Sequence, residues 1–452
     1  MKERTTRRTF VKRAGQAGVG LSLGLSAAGQ VLPKRAKAES IGANEKVVAG
    51  VIGCGGMGKR NMERFLKRKE VEFAALCDVD RKHCEEAAKL VQDKRSNKPE
   101  LFKDFRKLLE IKQIDVVIIA TPDHWHALPF ITACEAGKDI YQEKPLAHNV
   151  VEGRAMVNAT RRFKRVIQLG TWQRSTQHFI HALEFVRSGR LGRISVCRAW
   201  CVGNGGSIGH QKPTTPPPNL DWDFYLGPAK SVPYTPNRCH QSFRWFYNTA
   251  SGQVGDNGVH MLDIMLCGMN HPHPVSVDAV GGNFVLDDDR DTPDTMCAVF
   301  QFEDFVATWE HRFGNARPLD GGRSGLAAEF IGTNGSLIVH RGGKTQVFPE
   351  GDRLKERPEE SPPARDPGSV GRDVHIADFL ECIKTRKTPR SDVESVHRST
   401  ILCHLANMAY LLKRRIHWDP INEEPIGDPE AKNCPAYQRE YRKPWKLPTF
   451  QA

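Results

Sequence analysis

Gly53-Cys54-Gly55-Gly56-Met57-Gly58 spaces three glycines as G-x-G-x-x-G, and Asp78 stands twenty residues beyond the last of them. That arrangement suits a dinucleotide: Gly53 permits a tight turn, Gly55 admits a pyrophosphate against bare backbone, and Gly58 lets a helix pack on a strand. The helix start would offer unpaired N–H groups and partial positive charge to the phosphates. Asp78 would accept the ribose hydroxyls and repel a 2′-phosphate, which favours NAD, with NADP left possible by the counter-charge of Arg81. The alternative is a glycine turn in a doubly wound domain that holds no nucleotide.

Two further groups carry acid–base side chains. Lys144 sits in Glu143-Lys144-Pro145, where the proline keeps the lysine extended rather than helical. An ion pair with Glu143 is its plainer reading. Asp256, His260 and Asp263 recur at helical spacing and share one face, a pattern that also serves a capped, solvated helix.

The elements around these residues define the fold class. Strands at 47–52, 71–77, 115–120 and 139–141 alternate with helices at 59–69, 82–92, 102–110, 125–136 and 150–163. Apolar strands separated by helices mean a parallel sheet covered on both faces, so residues 45–165 read as a doubly wound Rossmann domain. Glu143-Lys144-Pro145 then falls at the carboxyl edge of that sheet, where such folds bind ligands. Residues 166–420 change texture. Short strands at 166–169, 194–201, 275–285, 295–302, 306–312, 328–331 and 336–340 imply an α+β domain with a large, mainly antiparallel open sheet, closed by helices at 374–385 and 391–413. A proline-, glutamate- and arginine-rich stretch at 349–371 reads as a surface loop, and 421–452 as a surface extension.

Composition excludes several classes. With 452 residues, 39% hydrophobic and 26% charged, the chain is too apolar for wholesale disorder and lacks the repeated apolar spans of a multispan membrane protein. Its charge of +13 is concentrated at the front: residues 1–38 hold nine of the 66 Lys and Arg but one of the 53 acids, leaving +5 elsewhere. No basic stripe interleaves with aromatics, so no nucleic-acid partner is expected. Thr6-Arg7-Arg8-Thr9-Phe10-Val11-Lys12, an uncharged run from Ala14 to Leu32 and Ala36-Lys37-Ala38 resemble a cleavable twin-arginine signal over 1–38. That implies export of a folded protein to the periplasm by the twin-arginine machinery, with no membrane association after cleavage. The 12 cysteines all follow residue 38 without any Cys-x-x-Cys, and read as buried free thiols. Cys197 and Cys201, His271-Pro-His273-Pro and Asp287-Asp288-Asp289 lack a complete ligand set, so no metal site is expected.

Taken together, the chain after residue 45 resembles the glucose-fructose oxidoreductase, inositol dehydrogenase and MocA family (Gfo/Idh/MocA). The resemblance rests on the glycine loop with Asp78, Thr121-Pro122-Asp123-His124-Trp125-His126, Glu143-Lys144-Pro145, Gly170-Thr171-Trp172-Gln173-Arg174 and the Asp256-x-x-x-His260 pair. Asp221-Trp-Asp-Phe-Tyr-Leu-Gly227-Pro228 is similar to exported bacterial members. The resemblance implies that Lys144, Asp256 and His260 surround a substrate carbon beside a nicotinamide. It places Gly53, Gly55, Gly56, Met57, Gly58, Asp78, Thr121, Pro122, His126, Glu143, Lys144 and Trp172 around the cofactor, and Gln173 and Arg174 near the substrate. Asp123 stands where many members carry Asn.

The chemistry agrees with those roles. Hydride removal from a carbinol leaves an oxygen whose proton must depart to a base with a pKa near neutrality, which suits His260. Lys144 stabilises the alkoxide and Asp256 orients the imidazole or holds a neighbouring hydroxyl. Asp263 is the structural member. Trp245, in Phe-Arg-Trp-Phe-Tyr, offers an aromatic face to a sugar, or else packs in the core.

These expectations describe an NAD(P)-dependent oxidoreductase acting on a sugar, cyclic polyol or glycoside. Outside the cytoplasm the cofactor must stay tightly bound and be restored in each cycle. A redox-neutral NAD-dependent glycosidase working through a keto-sugar is the chief alternative, and a non-catalytic sugar- or nucleotide-binding protein the other. The family analogy also implies a homo-oligomer.

Overall fold

The computed structural model describes residues 46–95, 97–270, 272–321, 325–356 and 367–450. The expected export signal and His271 lie outside the described residues.

The first lobe is a six-stranded sheet in which every pairing is parallel. Its strands are β1 (Val47–Ile52), β2 (Val71–Cys77), β3 (Glu100–Phe102), β4 (Val116–Ile119), β5 (Asp139–Gln142) and β6 (Ile167–Leu169), in the order β3-β2-β1-β4-β5-β6. The apolar runs of β1 and β4 are buried on both faces because helices cover both sides of the sheet. On one side α1 (Gly56–Phe65) and α2 (Arg81–Arg95) pack Met62, Phe65 and Val91 against Val51, Phe73 and Ile118. On the other, α3 (Phe105–Leu109), α4 (Ala127–Glu135) and α5 (Val150–Phe163) pack Leu108, Phe130 and Met156 against Ile52, Ile119 and Ile140. The strand order reverses between β1 and β4, and the crevice that opens there is where such sheets bind ligands.

The second lobe is a nine-stranded sheet. After α6 (Gln177–Arg187) come β7 (Ile194–Gly203), α7 (Trp222–Leu226), α8 (Val259–Gly268), β8 (Ser276–Gly282), β9 (Thr295–Gln301), β10 (Val306–Phe313), β11 (Leu326–Gly332), β12 (Gly335–His340) and β13 (Thr345–Pro349). They are followed by α9 (Pro367–Thr385), α10 (Val393–Leu412), β14 (Ile416–Asp419), β15 (Glu424–Pro425) and α11 (Pro429–Lys432). The order is β13-β12-β11-β7-β10-β9-β8-β14-β15, antiparallel except between β7 and β10. Residues on β9 alternate: Met296, Ala298 and Phe300 face the core under α8 and α10, while Cys297 and Val299 face outward beside Val280.

The architecture matches the expected α/β class, with three local differences. The helix expected from 102 starts later: Phe102 joins residues 100 and 101 as β3, paired with β2, because Asp104 caps a shorter helix through the Arg106 N–H. The strand expected to open the second domain at 166 completes the first sheet as β6, paired with β5. Finally, Ile376, Phe379 and Ile383 of α9 bury against Phe65 and Tyr141, so this late segment covers the first lobe. The C-terminal extension wraps the same lobe, with Trp445 edge-on to Trp125 and Phe450 edge-on to Phe163.

Candidate active site

The crevice at the β1/β4 switch is a cleft of about 580 Å³ lined by the glycine turn, Asp78, Thr121, Pro122, Asp123, Glu143, Lys144, Arg244 and Asp256. At its first end Gly53 turns with φ +91, and a Cβ there would lie 2.6 Å from the Ala120 carbonyl carbon. On Gly58 a Cβ would sit 1.9 Å from the Gly53 oxygen, so strand and helix meet only because that residue is glycine. Gly56 faces open space and Gly55 meets only the His83 ring, which leaves bare backbone toward the cleft beside a helix start that no side chain caps. This donor-rich, side-chain-free cradle fits a pyrophosphate.

Asp78 forms the neighbouring wall. Its carboxylate accepts the Cys54 and Asp80 N–H groups at 2.7 and 2.8 Å, and burial raises its pKa, so further donors such as ribose hydroxyls would stabilise its charge. Arg81 does not offset it. That side chain is 79% exposed and turned to Glu85, while the His83 Nδ1 lies 3.8 Å from Asp78.

Residues 204–250, between β7 and α8, reach across from the second lobe. The Arg81 N–H donates to the Asn219 carbonyl, the Asp221 N–H donates to that of Val79, and Lys103 pairs with Asp221 at 2.8 Å. His240, with φ +51, brings its Nε2 to 3.5 Å from Asp80, beside His83. Tyr225, Phe243 and Arg244 from this strap complete the far wall.

The other end of the cleft is made by both lobes. Lys144 Nζ donates to the Oδ1 and the main-chain oxygen of Asp256, both at 2.7 Å. The turn carrying Lys144, whose peptide to Pro145 is cis, is pinned by His126: Nδ1 lies 2.7 Å from the Pro145 oxygen and Nε2 3.0 Å from that of Thr121. Glu143 accepts from Asn61 at 2.9 Å. Asp256 lies in a π-helical turn, Val254–Gly258, that leads into α8, and such turns free a carbonyl from the regular ladder. Arg244 Nε lies 3.2 Å from the second carboxylate oxygen. Burial alone would raise the Asp256 pKa, but Lys144 first and Arg244 second outweigh it and hold the group well below the usual carboxylate range.

Two acid–base groups flank that ion pair. Burial, opposed by Lys144 and reinforced by Asp256, pushes Asp123 up to about 7. His260 is buried with its Nδ1 lacking a partner among the described residues, and burial together with Arg341 and Lys144 pushes it well below the ordinary imidazole range. The expectation of a near-neutral pKa at His260 is therefore corrected: His260 is neutral throughout the physiological range, and the group titrating near 7 is Asp123.

Other expected site residues divide. Thr121, Pro122, Met57 and Glu143 line the cleft. Trp172 lies edge-on to His260, ring centroids 6.3 Å apart. Gln173 is buried with neither amide atom hydrogen-bonded among the described residues. The ring of His126 is spent on two backbone carbonyls, so it positions the cofactor turns instead of lining the cleft. Arg174 is corrected from substrate to structure: its Nε and Nη2 reach Asp263 at 2.8 and 2.5 Å, and the side chains are 6% and 1% exposed. Asp263 also accepts from Ser399, so this interior pair is closed to ligands. Trp245 packs edge-on to Phe313 under the Arg290 guanidinium, off the cleft, while the adjacent Arg244 and Phe243 line it. In the 287–289 run the aspartates are engaged within the protein: Asp288 pairs with Arg290, and Asp287 and Asp289 hold His210. Sequence reasoning missed Arg244, whose only signal was a cation in an aromatic cluster, and did not show that the strap carrying the 221–228 motif crosses to the first lobe.

Comparison with known proteins places this geometry. The Gfo/Idh/MocA model described as "Oxidoreductase family, NAD-binding Rossmann fold" matches residues 47–171, and the model described as "Oxidoreductase family, C-terminal alpha/beta domain" matches 199–447. An alpha-N-acetylgalactosaminidase of Shewanella oneidensis is 30% identical over 201 residues, 42% of this chain and 44% of that protein. The chain thus matches less than half the length of this relative. Among solved structures, levoglucosan dehydrogenase in complex with NADH and levoglucosan is 20% identical with a TM-score of 0.63, covering 82% of this chain and 99% of that one. The aldose-aldose oxidoreductase from Caulobacter crescentus complexed with glycerol is 18% identical with a TM-score of 0.62, covering 82% and 100%. At such identities the likeness is one of fold.

Proposed function

The chain belongs to the Gfo/Idh/MocA oxidoreductase family, and from that premise we propose that it moves hydride between a carbinol carbon of a sugar, cyclic polyol or glycoside and a retained NAD. The observation that carries this reading is the Lys144–Asp256 contact: an ammonium from one lobe and a carboxylate from the other meet at 2.7 Å in the cleft that the glycine turn opens. The bound nicotinamide would supply the hydride acceptor and donor.

The chain's own groups do the rest. Lys144, steadied by Asp256, donates to the hydroxyl oxygen and stabilises the negative charge that develops there, an attraction much stronger in a partly buried cleft than in water. His260, one helical turn from Asp256, orients the hydroxyl, whose proton passes to Asp123. Asp123, titrating near 7 beside Lys144, relays it to solvent. Thr121, Pro122, Glu143 and Trp172 frame the reacting end of the cofactor. Asp78, from which Arg81 turns away to Glu85, favours NAD over NADP. The strap at 204–250 supports retention, because it closes over the Asp78 side through the Asn219, Asp221 and His240 contacts.

A redox-neutral glycosidase is the second reading, favoured by the 30% identity to an alpha-N-acetylgalactosaminidase. Transient oxidation to a ketone acidifies the neighbouring C–H, the glycosidic substituent leaves by elimination, and water addition and return of the hydride complete the cycle without net redox change. The same residues serve both readings.

The natively purified protein, given a panel of glycosides and free sugars, separates these readings by cofactor absorbance and sugar release. Net reduction supports the dehydrogenase and release without it the glycosidase. Neither, with the dinucleotide in place, contradicts catalysis and leaves a binding protein. We also assign export to the twin-arginine segment: replacing Arg7 and Arg8 with Lys traps the precursor inside the cell, and unchanged export refutes that assignment. Homo-oligomerisation through the outward sheet face that carries Val280, Cys297 and Val299 completes the reading; a monomer by sedimentation contradicts it.

A further inference from the structure

Trp172 gathers more positive charge than the proposed reaction uses. Arg341, in the turn after β12, and Arg372, near the start of α9, both lie over its indole, with guanidinium carbons 5.5 and 4.2 Å from a ring centroid. Arg341 donates to the Asn257 Oδ1 at 3.1 Å, a neutral partner. No described carboxylate lies within 4.0 Å of either guanidinium. Of the acids in electrostatic range, Asp256 is paired with Lys144 and Arg244, and Glu143 raises the Arg372 pKa without reaching ion-pair distance. Burial lowers the pKa of both arginines, and at Arg372 the Arg341 charge adds to the effect.

Two repelling, partly buried cations that touch no described carboxylate are an unfavourable arrangement unless something supplies a contacting anion. Nothing in the mechanism above does. The dinucleotide phosphates have their own cradle at the glycine turn, and the arginines adjoin the reacting end instead: the Asn257 Nδ2 donates onward to Asp256 at 3.2 Å. The neighbouring His260 Nδ1 and the Gln173 amide are buried polar atoms that also lack partners. A guanidinium fork matches the paired oxygens of a carboxylate or sulfate.

We propose that Arg341 and Arg372 form an oxyanion subsite beside the reacting carbon, and that the substrate is an acidic carbohydrate carrying a carboxylate or sulfate. This rests on the reading of the cleft as a carbohydrate oxidoreductase site and names the class of carbohydrate it takes. A neutral hexose would fill the cleft and leave the pair uncompensated, whereas an acidic one would neutralise it.

Calorimetry on the natively purified holoprotein tests this with glucuronate, galacturonate and glucose 6-sulfate against glucose and galactose. The acidic sugars bind at least about tenfold more tightly, and the preference shrinks as ionic strength rises. In the Arg341→Met, Arg372→Met double variant the preference disappears while the dinucleotide content by mass spectrometry stays. Replacement of both arginines with Lys restores part of it. Uronate and sulfate arms that differ identify the oxyanion, and either one supports the subsite. The salt dependence of the unaltered protein reads the same contact should the double variant fail to fold. Equal binding of acidic and neutral sugars overturns the inference while leaving the oxidoreductase reading intact, and so does a preference that the double variant keeps. Loss of dinucleotide from a folded double variant also overturns it, because the pair then serves the cofactor. A dinucleotide-loaded protein that neither binds nor turns over any of these sugars contradicts both.

Discussion

The two ends of the cleft are built on different principles. At the cofactor end, Gly53 to Asp78 come from one β-α-β unit, and what matters is backbone: a turn, a helix start and the absence of side chains. At the reacting end, Lys144 and Asp256 are 112 residues apart in sequence and come from different lobes, joined by Arg244 from the strap, and what matters is side-chain charge. A backbone cradle tolerates almost nothing at its glycines. The charge cluster tolerates shape changes but not loss of a partner. Lesions at the two ends should therefore separate cofactor retention from turnover.

The largest effect is expected at the first end. In Gly58→Val any Cβ collides with the Gly53 carbonyl, so the protein should purify without dinucleotide. A variant that retained a full complement would break the contrast. Lys144→Met comes next, with turnover reduced about a thousandfold or more and dinucleotide content by native mass spectrometry unchanged. A parallel loss of cofactor would show that the two ends are not separable.

Asp123→Asn gives the smallest and most specific effect. With Asp123 at about 7, kcat should rise with pH through that value as the relay carboxylate loses its proton, and the Asn variant should lack this limb. Stability moves the opposite way. The folded-state pKa is raised above the ordinary carboxylate value of about 4, so the folded form binds the extra proton between those values; the contribution is full below about 4 and is lost as pH rises through about 7. Thermal melts from pH 4 to 8 should therefore show a steeper decline in the native protein than in the variant. Equal slopes contradict the assignment.

The same division explains what the sequence made legible. The β1 and β2 strands, the glycine turn, Asp78 and α5 were readable because apolar runs, turn glycines and helical periodicity are local signals. Lys144 and Asp256 were readable as residue types, but their contact was not, because it depends on a π-turn that α-helical periodicity does not reveal. Arg174 was misread for a related reason: its meaning is set by Asp263, 89 residues away, and an arginine beside a cofactor motif carries no mark of being closed off in the interior. Trp245 and Arg244 show the same limit at one-residue resolution, since the strap, not any periodicity, decides which of the two faces the cleft. The titration of Asp123 follows from burial among charges, a property of the assembled lobes.

A crystal structure of the chain with NAD bound tests the central claim most directly. The nicotinamide ring should lie against Thr121, Pro122 and Trp172 with a substrate-sized space between it and the Lys144–Asp256 pair, so that a hydroxyl placed there comes within about 3 Å of the Lys144 ammonium. A nicotinamide directed away from that pair, with the adenosine still seated on Asp78, would contradict the account.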